Sequence, residues 1–169
     1  MNDLNYSIEN YHKPRLSSLA SHILSETNLE YDFFSPPTFE TYMIQIKIPS
    51  SPIICINYIP IPLDDETPFL FLQLHAVVLE EVDTSNKELL AYINFANNNT
   101  VVSSFLADNG EVSIRAIITD NPTKDLDITN VIYSLELASN NLMGHLELIQ
   151  LVGKGEITSD EAIERLGSI

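Results

Sequence analysis

The 169-residue chain predicts an α+β fold: a largely antiparallel five-stranded sheet with helices on one face, in the order α-β-β-β-α-β-β-α-α. Three observations predict it. Toward both ends of the chain, apolar residues recur at three- and four-residue spacing, the period of a helix face. Between them lie β-branched and aromatic runs that alternate with period two. Asn109-Gly110 separates two of these runs, and that dipeptide suits a two-residue hairpin turn with positive φ at both positions.

Residues 1–13 are polar and read as a flexible N-terminal tail, with Pro14 suited to the first turn of a helix. Leu16, Leu19, Ala20, Ile23 and Leu24 mark one face of that helix, over about 14–27. Pro36-Pro37 interrupts regular structure. A strand follows over Thr38–Ile48, with Tyr42, Ile44, Ile46 and Ile48 on one side. Pro49–Pro52 forms a turn into a second strand, Ile53–Ile59, antiparallel to the first. Pro60, Pro62 and Asp64-Asp65-Glu66 form the next connection. Phe69–Leu79 is the most apolar stretch and reads as a central strand, with Glu80, Glu81 and Asp83 leaving it for solvent.

Ser85-Asn86-Lys87-Glu88 has capping-box spacing, so Ser85 is expected to cap a helix whose apolar face is Leu89, Leu90, Ile93 and Ala96. Asn97-Asn98-Asn99 ends it. In the hairpin over Val101–Ile118, a two-residue loop sets Asp108 opposite Glu111, Phe105 opposite Ile114 and Ser104 opposite Arg115. Asp120–Asp127 reads as a polar loop. A long helix over 128–152 carries Ile128, Val131, Ile132, Leu135, Ala138, Leu142, Leu146 and Ile149 as a stripe, with His145 expected at the surface or edge. Gly144 suits a bend, close packing or simple tolerance. Thr158 and Glu161 again have capping-box spacing, before a short last helix. One domain over 14–152 is expected, with 153–169 a helical extension of it.

Composition narrows the function. The chain carries 24 acidic and 8 basic residues, a formal net charge of −16. The basic residues are scattered, so the phosphate-neutralising cluster of a nucleic-acid surface is missing, and anionic membranes are disfavoured for the same reason. No apolar run reaches the length of a membrane span, and the first residues do not look like a signal peptide, so a cytoplasmic protein is expected. Cys55 is the sole cysteine and reads as a small buried hydrophobe. There is no phosphate-binding loop, dinucleotide fingerprint or calcium-loop pattern, so no cofactor, metal or catalytic residue is assigned. The one enzymatic alternative is tertiary: Cys55 and His75 meeting across neighbouring strands as a Cys–His pair.

The segment Asn86–Thr119, with Leu89-Leu90, Asn94 and Asn97 on a helix followed by Phe105 and Asn109-Gly110-Glu111-Val112, resembles the middle of a YbjN-like domain. The order of elements over roughly 14–150 is similar to that family and to the type III secretion chaperones. The resemblance implies a protein-binding, chaperone-like module, dimeric in the chaperone branch. Gly153–Ile169 departs from the usual secretion chaperone. The expected function is therefore a non-enzymatic interaction module with a protein partner, a second copy included. A structural or accessory domain is the alternative, with the Cys–His enzyme behind it. Leu137, Leu148 and Leu151 lie off the main stripe of the long helix and are the candidate protein interface.

Overall fold

A computed structural model describes residues 11–26, 30–34, 42–47, 51–59, 69–121 and 123–167. The elements in chain order are α1 (Lys13–Glu26), β1 (Glu30–Phe34), β2 (Met43–Lys47), β3 (Ile54–Tyr58), β4 (Leu70–Leu79), α2 (Lys87–Asn98), β5 (Ser103–Asp108), β6 (Glu111–Asp120), α3 (Ile128–Gly153) and α4 (Ser159–Leu166). All five expected strands belong to one sheet flanked by four helices, an α+β fold. The added strand β1 lies at its edge, giving the order β1-β2-β3-β4-β6-β5. The expected tail over residues 1–10, the strand residues Thr38–Thr41 and Ile48, and Asp64-Asp65-Glu66 lie outside the described residues.

The chain forms two compact units, Met1–His75 with Ile117–Leu135, and Ala76–Ala116 with Glu136–Ile169. This is a finer division than the single domain expected. In the first unit, β1–β2, β2–β3 and β3–β4 are antiparallel pairs, and α1 packs on β1 and β2. The period-two pattern dictates its core. Ile44, Ile46, Ile54, Ile56, Tyr58, Leu70, Leu72 and Leu74 are buried, and their strand neighbours are half-buried or exposed. Leu16, Leu19, Ala20 and Ile23 of α1 are buried as their spacing predicts. His12 is buried too, so the tail expected over 1–13 does not extend to its last residues.

In the second unit the hairpin forms in the predicted register, with Asp108↔Glu111, Phe105↔Ile114 and Ser104↔Arg115. Asn109 has φ 51° and Gly110 φ 82°, the positive values the turn demands. Val101 is the exception: it is exposed and precedes the strand. Gly144 has open space around it and is simply tolerated.

The two expected caps diverge. Thr158 forms its full capping box with Glu161. At α2, Asn86 rather than Ser85 is the cap: its Oδ1 accepts from the Glu88 and Leu89 N–H groups at 2.9 and 3.4 Å. Ser85 instead donates its N–H and hydroxyl to Asp83, at 2.9 and 2.6 Å. Glu88 is drawn off to α4, where its carboxylate accepts from the Ser159 N–H and hydroxyl, both at 2.8 Å. These bonds hold the Glu88 carboxyl below its ordinary range. The α4 segment thus docks on α2, with Ala162 buried.

Candidate functional site

Strand pairing in the first unit assembles a row of polar residues. Asp32 pairs with Gln45, Gln45 with Cys55, and Cys55 with His75. The expected meeting of Cys55 and His75 across adjacent strands is therefore present in the register. Their chemistry is less apt for a nucleophile. Gln45 Nε2 approaches Cys55 Sγ at 3.8 Å, a weak contact. Burial pushes the Cys55 thiol up, outweighing that contact, and so disfavours the thiolate that nucleophilic attack needs. Among the described residues no group of three or more His, Cys, Asp or Glu is arranged to hold a metal ion.

Gln45, Cys55 and His75 of this row lie on the half-open face of the sheet. Because side chains alternate along a strand, burying Ile44, Ile56 and Leu74 on one face leaves Gln45, Cys55, Asn57, Phe71, Gln73 and His75 on the other. On β6 of the same unit, Ile117 occupies the face opposite buried Ala116 and Ile118, and it is 58% exposed.

Beneath the buried face lies a polar cluster built from Tyr58, Arg15, Asp120 and His12. Tyr58 donates its hydroxyl to Asp120 Oδ2 at 2.6 Å. Arg15 Nη1 reaches both oxygens of the same carboxylate, at 3.2 and 3.1 Å. Arg15 Nη2 donates to the Asn121 carbonyl at 3.1 Å and to the Lys124 carbonyl. Burial, reinforced by Asp120, pushes the Tyr58 phenol above its ordinary range. His12 stacks on the Tyr58 ring, centroids 4.8 Å apart, and burial lowers its pKa to about 4. Asp120, expected in a solvated loop, is instead the buried last residue of β6. A cleft of about 810 Å³ beside the cluster is bordered by Tyr11, Ser18, Lys124 and Asp125. Arg15 borders it as well, but its guanidinium is already engaged in binding the Asp120 loop.

In the second unit, His145 is buried, not at the surface or edge as expected. Its Nδ1 lies 2.9 Å from the Tyr92 hydroxyl, and its ring packs edge-on to Tyr92 and Phe105. Burial lowers the His145 pKa and raises that of Tyr92 to about 12. The His145–Tyr92 bond lies inside an aromatic cluster within the core. The candidate interface on α3 is also altered. Leu148 is only 8% exposed and is spent within the fold, while Leu137 and Leu151 are half-buried. Tyr133 and Met143 are the large apolar side chains that α3 exposes.

No helix among the described residues is long and apolar enough to cross a membrane. Comparison with protein-family models, curated proteins and solved structures returned no match.

Proposed function

We propose that the chain is a non-enzymatic, chaperone-like protein-interaction module, whose partner is another protein or a second copy of itself. The observation that carries this reading is the half-open sheet face of the first unit, with Ile117 exposed on it. Ile117, a branched apolar side chain that is 58% exposed, and half-buried Phe71 of β4 give a partner apolar surface to cover. A net charge of −16 favours approach of a basic partner. The resemblance of Asn86–Thr119 to the middle of a YbjN-like domain supports the same reading.

The test is sedimentation of the purified chain together with affinity capture from cell extract, comparing wild type with Ile117→Asp. Leu148→Asp is unsuitable because it would place a charge in the core. The expected result is that folded Ile117→Asp loses both self-association and captured partners. A folded Ile117→Asp chain that keeps both would overturn the assignment to this face.

A further inference from the structure

Strand β5 ends the sheet order, so one of its backbone edges faces away from β6. Such an edge is a ready template for another strand. Here it is occupied by side chains of the chain itself. The Asn97 carboxamide accepts from the Phe105 N–H at 2.7 Å and donates to the Phe105 carbonyl at 2.9 Å. That is the donor–acceptor pair an incoming antiparallel strand would supply. Two residues earlier, Thr100 Oγ1 donates to the Ser103 carbonyl at 2.6 Å. By strand alternation Ser103, Phe105 and Ala107 present their backbone groups to this edge, and among the described residues no comparable side-chain bond covers Ala107.

We infer that Asn97 and Thr100 form an internal block on strand addition at β5, and that removing it lets a second copy of the chain pair through that edge. The carboxamide acts as a surrogate strand residue. It is held in place because Asn97 lies in the last turn of α2, the helix that packs on β5. The Thr100 hydroxyl extends the cover from the residue that follows the helix cap. Any partner of the sheet face is thereby kept from extending the sheet at β5.

The experiment measures self-association in the Ile117→Asp background, which keeps the proposed sheet-face contact out of the readout. Asn97→Ala with Thr100→Val is expected to tighten self-association at least about tenfold, since an incoming strand regains backbone hydrogen bonds. Adding Ala107→Pro, which removes the next edge donor, should reverse it. A folded double variant that associates no more tightly than its parent, or whose association survives Ala107→Pro, overturns the inference. A second measurement needs no variant. In wild type the Phe105 amide should exchange with solvent at least about tenfold more slowly than the Ala107 amide on the same edge. Equal exchange rates would also overturn it.

Discussion

Replacing Tyr58 with phenylalanine isolates one bond of the Arg15–Asp120–Tyr58 cluster. Tyr58 is fully buried, so the substitution leaves apolar packing and the ring facing His12 in place. What disappears is the 2.6 Å donation from the phenol to the Asp120 carboxylate. Asp120 retains Arg15, so no buried charge is stranded. A hydrogen bond to a charged group contributes about 1.5–3 kcal/mol. For a chain of this size, each kilocalorie shifts the melting temperature by about 2–4 °C, so the expected loss is about 3–12 °C. Urea unfolding followed by circular dichroism should show a lower midpoint with an unchanged slope. Tyr92→Phe in the same assay is the internal control. It removes a neutral bond to His145, which is expected to contribute only about 0.5–1.5 kcal/mol. If Tyr58→Phe costs less than about 0.5 kcal/mol, or less than Tyr92→Phe, then the phenol–carboxylate bond is not the desolvated, charge-assisted bond described above.

Two further outcomes follow from burial and backbone freedom. His12 has a pKa of about 4 in the fold against 6.5 for the ordinary side chain, so the unfolded chain binds more protons between those values. Stability from burying neutral His12 is therefore full above pH 6.5 and is lost as the pH falls toward 4; His12→Phe should flatten that slope in unfolding measured across the window. Gly144→Ala should raise stability by about 0.5–1 kcal/mol in thermal unfolding, because the added methyl group meets open space in the middle of α3.

Where one periodicity governed both local structure and burial, the sequence was readable. The hairpin register followed from a turn dipeptide and an alternating pattern that agree, and every expected strand was found. Strand β1 was missed because Glu-Tyr-Asp-Phe-Phe is short and carries two residues with poor strand propensity. Two buried polar residues lie on periodic apolar faces. Val112, Ile114, Ala116 and Ile118 alternate on the buried face, and one further step reaches Asp120. A carboxylate at that position calls for a cation, but which of the scattered basic residues supplies it depends on a contact across 105 positions. His145 likewise falls between Leu142 and Ile149 at helical spacing, within the stripe that buries them. The α2 cap is Asn86 and not the expected Ser85, because Glu88 has two competing uses and the one that wins involves Ser159, 71 residues away. Of the candidate site, the Cys55–His75 register was legible, whereas the thiol's environment and the burial of Leu148 required the assembled core.

The Arg15 clasp has a consequence for biosynthesis. Asp120 follows Arg15 by 105 residues, and Tyr58 also depends on it from 62 residues away. At a synthesis rate of about 5–20 residues per second, roughly 5–20 seconds separate the appearance of the guanidinium from that of its carboxylate. Once Tyr58 is made, α1 and the first three strands have their apolar residues but lack, for a further 62 residues, the anion that Tyr58 and Arg15 share. The first unit is consequently a late-closing structure: it takes residues 117–135 as well as 1–75, and Arg15 is made 105 residues before the carboxylate that binds it.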